Sequence, residues 1–140
     1  SGSIGDGHSV ASAIALGADF AYLGTRFIAT EEANAEPEYK KMLEESAAKD
    51  IVYSSLFTGV LGNYLKPSIE NAGMDPENLP DADKTSMNFG SGGNTDSKAW
   101  KDIWGSGQGI GGIKDDPSVE DLVTRLKEEY NQAKLEFNEK

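Results

Sequence analysis

Apolar residues fall along this chain in distinct patterns, and each pattern predicts a different kind of element. Near the end, Val119, Leu122, Val123, Leu126, Tyr130, Ala133 and Phe137 recur at helical spacing, with Glu120, Lys127, Glu128 and Lys134 on the other face. Ser118-x-x-Asp121 is a capping-box signature, so a helix is predicted over 118–138. Tyr39, Met42 and Leu43 sit at i, i+3 and i+4 behind Pro37, a residue suited to a first helical turn. They predict a packing face on a helix that runs to about Ala48. Trp100, Ile103 and Trp104 repeat that spacing; two tryptophans so close either fill a core or stand beside a cofactor mouth. A second pattern is continuous. Phe20-Ala21-Tyr22-Leu23 is apolar on both faces, as a parallel strand covered by helices is. Ile51-Val52-Tyr53-Ser54-Ser55-Leu56 is rich in β-formers and predicts another short strand, ended by Gly59. From Leu61 to Ala72 a helix is predicted, kinked or divided near Lys66 by Pro67 and stopped by Gly73. Its polar Asn63 and Lys66 face either a ligand or solvent, and solvent is favoured. The remaining pattern is polar: 74–97 carries turn residues throughout and predicts a long loop, either a lid or a surface insertion.

The first 27 residues hold two glycine-bearing turns around this logic. Gly2, Gly5 and Gly7 crowd the start, where glycine lets backbone N–H groups approach a ligand without a Cβ in the way. Asp6 and Ser9 are good N-cap residues for a short helix carrying Val10, Ala11, Ala13, Ile14 and Leu16, expected to be buried on most sides and stopped by Gly17. Gly24-Thr25 then ends the apolar run with a second bare turn. Turn, helix, strand and turn make one α/β half-unit with two sets of N–H donors at one end of a sheet. A helix N-terminus there adds partial positive charge, which favours an anion. In a (β/α)8 barrel the loops after the last two strands commonly build a phosphate site. On the residues alone, a purely structural turn with glycines for tight packing stands beside that reading.

Charge narrows the partners. Lys plus Arg number 13 against 24 Asp plus Glu, a formal net charge of −11, which argues against nucleic-acid and anionic-membrane surfaces. A local anion site made of backbone N–H groups is still compatible with it. Cysteine is absent, so the chain has no disulfide framework, thiol nucleophile or thiolate metal site. No apolar run approaches transmembrane length and no signal-peptide pattern opens the chain, so a soluble cytoplasmic protein is expected. GSGQGIGG matches G-x-G-x-x-G at Gly107, Gly109 and Gly112, but the residues before it pattern as a helix and Asp115-Asp116-Pro117 follow it. A dinucleotide fingerprint needs a strand before and a helix after, so that reading is rejected. Gln108 is kept as a candidate cofactor or substrate contact, because its amide both donates and accepts. His8, the one histidine, reads as a helix-start or surface residue.

Two sets of residues, one in the turns and one in the tail, carry a family resemblance. Ser1-Gly2-Ser3-Ile4 with Asp6-Gly7, then Ala15-Leu16-Gly17-Ala18-Asp19, then Gly24-Thr25-Arg26-Phe27 resemble the seventh and eighth strand turns of the nitronate monooxygenase (2-nitropropane dioxygenase) family. Phe57-Thr58-Gly59, the run from Asn63 to Ile69 and Trp104-Gly105-Ser106-Gly107-Gln108-Gly109 resemble its tail, so the likeness spans Ser1 to about Tyr130. It departs at Ser3, where the family usually has a second glycine. The resemblance implies an α/β chain: a C-terminal fragment of a TIM barrel, with the last barrel units over 1–30 and an appended, mostly helical region over 31–140. A whole barrel needs about 200–250 residues or more, so an N-terminal portion is expected to lie outside these 140. The resemblance further implies FMN as cofactor. Ser1, Gly2, Ser3 and Gly5 would hold its phosphate from one side, and Gly24, Thr25 and Arg26 from the other. The implied reaction is oxidation of alkyl nitronates with molecular oxygen. The implied base is a histidine on an earlier barrel loop, a different position from His8, so no catalytic or metal residue is expected here and the isolated chain is expected to be inactive. The alternatives are a flavin-dependent enoyl or quinone reductase of the same barrel type, and a non-catalytic fragment that folds by self-association as a homo-oligomer.

Overall fold

The computed structural model describes residues 1–80 and 102–139. The chain divides into two compact units, one made of Ser1–Ala48 with the segment from Gly107 on, the other of Lys49–Ser106.

In the first unit, helix α1 spans Gly7–Ala15. The Asp6 carboxylate accepts from Ser9 N–H at 2.7 Å while Ser9 Oγ accepts from Asp6 N–H at 3.1 Å, a reciprocal cap on two of the helix's orphan donors. Gly17, at φ +95°, closes the other end: its N–H donates to Ile14 O and that of Ala18 to Ala13 O, as the sequence predicted. The expected burial of this helix is not found. Ile14 is exposed and Leu16 is 89 % exposed. Helix α2 (Thr25–Ile28) leads into Ala29 and Thr30, both buried. Helix α3 spans Pro37–Glu45 with proline in its first turn, shorter than the stretch predicted, and inserts Leu43 fully into the core. Burial pushes the Tyr39 hydroxyl up to about 12. A 3-10 turn over Gln108–Gly112 packs against both α2 and α3.

Helix α5 (numbered after α4, Lys66–Asn71, of the other unit) spans Val119–Asn138 and lies against α1. Ser118 Oγ accepts from Asp121 N–H at 3.1 Å, the N-cap half of the predicted capping box, and the Glu32 carboxylate receives Val119 N–H at 2.9 Å. Leu122 is buried, but Phe137 at the far end of the same stripe is 79 % exposed. Residues 20–23 differ from expectation too. They belong to no ladder among the described residues; Phe20 and Tyr22 are exposed while Ala21 and Leu23 are half-buried. An apolar run becomes a strand only when a neighbour takes its N–H and C=O groups.

In the second unit, β1 (Ile51–Ser54) pairs antiparallel with β2 (Gly62–Leu65), with Ile51 opposite Leu65 and Ser54 opposite Gly62. The outer side of β2 is covered by the chain at 104–106: Leu65 N–H donates to Trp104 O at 2.8 Å and Ser106 N–H to Asn63 O at 3.2 Å. Tyr64, Ile69 and Ile103 form the core, with the Phe57 ring edge-on to Tyr64 at 4.8 Å. Here the helix predicted over 61–72, kinked or divided near Lys66, is corrected to a strand followed by helix α4, Lys66–Asn71. Pro67 sits in the first turn of α4 instead of its interior, where its missing N–H costs nothing, and Leu65 before the helix is extended. Lys66 ion-pairs with Glu77, which raises its ammonium above the ordinary lysine value. Trp104 is half-buried; Trp100 and the stretch 81–97 of the predicted loop lie outside the described residues. No helix among the described residues is long and apolar enough to cross a membrane.

Candidate functional site

The two glycine turns of the first unit meet around a recess of about 190 Å³. Ser1, Gly2, Ser3 and Gly5 line one side, and Gly24, Thr25 and Arg26 the other, so all seven expected site residues are brought together. Gly2 (φ +90°) and Ser3 (φ +55°) both adopt the left-handed region. Serine rarely does so, and Ser3 is the position at which the resemblance leads one to expect glycine. A Cβ built on Gly2 or Gly24 would meet nothing within 4 Å, so both border open space.

Gly107 and Gly109 supply a third wall that the sequence reading missed. Gly107 N–H donates to Thr25 Oγ1 at 2.8 Å. A Cβ on Gly109 would lie 2.9 Å from Ser3 C, and one on Gly5 3.0 Å from Gly109 O. Gly109 is therefore there for backbone-on-backbone packing and Gly107 for its approach to the Thr25 hydroxyl, reasons different from the rejected dinucleotide motif. Their G-x-G spacing was the available signal. Gln108 between them is exposed and does not line the recess. Tyr22 borders the recess while 73 % exposed.

Charge around the recess is arranged differently from expectation. The N-terminus of α1 is already answered by two carboxylates, Asp6 on Ser9 N–H and Glu129 on Gly7 N–H at 2.7 Å, so the positive end of this helix is not free for another anion. Burial works upward on Asp6, but the hydrogen bonds from Ser9 and the nearby His8 outweigh it and hold the carboxyl below its ordinary value. Arg26 is only 3 % exposed. Its Nη1 donates to Ala29 O (2.9 Å) and Asp115 O (3.2 Å), and its Nη2 to Asp115 Oδ1 (2.8 Å). Burial lowers this guanidinium from the ordinary arginine value despite the Asp115 carboxylate beside it. Asp115 also takes both forks of Arg125, at 3.0 and 2.7 Å, and Arg125 first, then Arg26, holds its carboxyl below the usual range against burial. His8 lies elsewhere, in a groove of about 560 Å³ that α1 and α5 form with Leu16 and Phe137.

Known proteins agree with the residue-level likeness. A sequence model of nitronate monooxygenase matches residues 1–129. A nitronate monooxygenase from Paraburkholderia phytofirmans is 36 % identical over 75 residues, which are 54 % of this chain and 20 % of that protein. FabK from Thermotoga maritima superposes with a TM-score of 0.67 at 20 % identity, over 98 % of this chain and 45 % of that one. Nitroalkane oxidase from Streptomyces ansochromogenes does so at 0.64 and 22 %, over 97 % and 40 %. The chain thus spans less than half the length of these solved proteins and a fifth of that curated relative. The structural likenesses show the fold class, part of a (β/α)8 barrel with an appended, mostly helical region. Matched over residues 1–129 and carrying both glycine turns and the tail, the chain belongs to the nitronate monooxygenase family.

Proposed function

We propose that the recess holds the phosphate of FMN, and that the chain is the phosphate-binding part of an oxidoreductase that oxidises alkyl nitronates with molecular oxygen. One observation carries this reading. In a chain with 24 acids and a net charge of −11, no carboxylate among the described residues lines the recess, and its walls are mostly glycines and hydroxyl-bearing residues. Its volume lies below the ~300–1,000 Å³ of whole-ligand pockets, which suits one end of a ligand. Family membership supplies the nature of that ligand.

The residues present fit a phosphate. Gly2 and Ser3 offer backbone N–H groups from one side, beside Gly5, whose own N–H goes to Ser9 Oγ at 3.2 Å, and the Ser1 and Ser3 hydroxyls can donate as well. On the other side, the first N–H groups of α2 have no partner within their own helix, and Thr25 and Arg26 carry them. The Thr25 hydroxyl accepts from Gly107 and keeps its own hydrogen to give. Arg26 contributes its backbone, because Asp115 and Ala29 hold its guanidinium. When bound, the flavin supplies electron transfer and the reaction with oxygen. The reading assigns the proton-accepting base to a part of the barrel other than this chain, and a cytoplasmic location goes with it.

The test is the absorbance spectrum of the full-length protein as purified. Yellow protein that releases FMN on denaturation, is bleached by an alkyl nitronate without air and consumes oxygen in its presence is expected. Colourless protein that takes up no FMN would contradict the reading. Flavin reduced by NAD(P)H and untouched by nitronate would move the protein to the reductases.

A further inference from the structure

The two turns of the recess are both tied to α5, through residues that do not line it. Gly7 stands two residues beyond Gly5 and gives its N–H to Glu129 at 2.7 Å. A Cβ there would fall 2.3 Å from Leu126 O and 2.5 Å from the Glu129 Cβ, so the backbone is pressed onto the helix at that point. At the other turn, Arg26 follows Thr25 directly and is clamped by Asp115, which is itself gripped by both forks of Arg125 on α5. None of Glu129, Asp115 and Arg125 lines the recess.

We propose that Glu129 and the Asp115–Arg125 pair are positioning residues for phosphate: they hold the Gly5–Gly7 and Thr25–Arg26 backbones at the separation one phosphate group spans. The proposal rests on the reading that the recess takes a flavin phosphate. A donor array works only when its members converge, and a displacement of about 1 Å is enough to cost such an array much of its effect. Glu129 therefore governs affinity for the phosphorylated flavin while leaving the ring's affinity alone.

That difference is what the experiment reads. The dissociation constants of FMN and of riboflavin are measured by fluorescence quenching on the full-length protein and its variants. Glu129→Ala is expected to weaken FMN by about tenfold, the scale of one charge-assisted hydrogen bond, and riboflavin by less than about twofold. Glu129→Gln keeps an oxygen that can accept from Gly7, and should return FMN to within about threefold of the unsubstituted protein. Arg125 is 43 % exposed, so Arg125→Met tolerates the change if Glu129→Ala fails to fold; it should weaken FMN selectively by about threefold. Equal losses for both flavins, or no loss for FMN, would overturn the proposal. An unsubstituted protein that binds both flavins equally would instead overturn the phosphate reading beneath it.

Discussion

Gly7 leaves no room for a side chain. A Cβ would sit 2.3 Å from a backbone oxygen of α5, and backbone cannot swing aside. Gly7→Ala is therefore expected to destabilise by at least about 2 kcal/mol, measured by denaturant unfolding. Ser3 points the other way. Its φ of +55° costs an L-residue about 1–2 kcal/mol, and glycine's greater freedom when unfolded returns about 0.5–1, so Ser3→Gly should gain about 0.5–1 kcal/mol in the same measurement. A loss there would mean that the serine hydroxyl contributes more than its backbone strain removes. At this scale the glycines and the departure at Ser3 were legible, because only backbone geometry explains such crowding. Glu129 and Asp115 were not: an acid on a helix's polar side, or before a proline, looks like solvated surface until the distant partner is known.

Elements with two signals at their ends were the ones the sequence described well. α1 has its cap at Asp6 and its stop at Gly17, and α5 has its cap at Ser118. The 61–72 stretch was misread because proline marks both a break and a start, and nothing local separates the two. With Pro67 in the first turn of α4, Pro67→Ala should change stability by no more than about 1 kcal/mol. An interior proline would instead release about 3 kcal/mol on replacement. The run at 20–23 was read as a strand because composition reports burial, whereas a ladder also needs a neighbour. The junction of α2 and α5 titrates on the acid side. Asp115 has a folded pKa below its ordinary 3.8, so its contribution is complete above about pH 4 and is lost as pH falls through the folded value. Asp115→Asn should accordingly lower the melting temperature near neutrality and flatten its fall below about pH 4. Asp6, shifted in the same direction, leaves a residual slope.

For the molecule as a whole, the family was legible from the turns and the tail together, since phosphate-binding barrels outside the family share the turns. What the sequence hid was that these segments touch: Gly109 meets Ser3 across more than a hundred residues, and no local pattern carries such a contact. Gly109→Ala tests that packing, with an expected loss of about 1–3 kcal/mol in denaturant unfolding. Backbone amide resonances of the isotopically labelled full-length protein, followed as FMN and separately inorganic phosphate are added, test the central claim most directly. The amides of Gly2, Ser3, Gly5, Gly24, Thr25 and Arg26 should move with both ligands, in one saturating transition for each. Amides that stay still there while others shift elsewhere would contradict it.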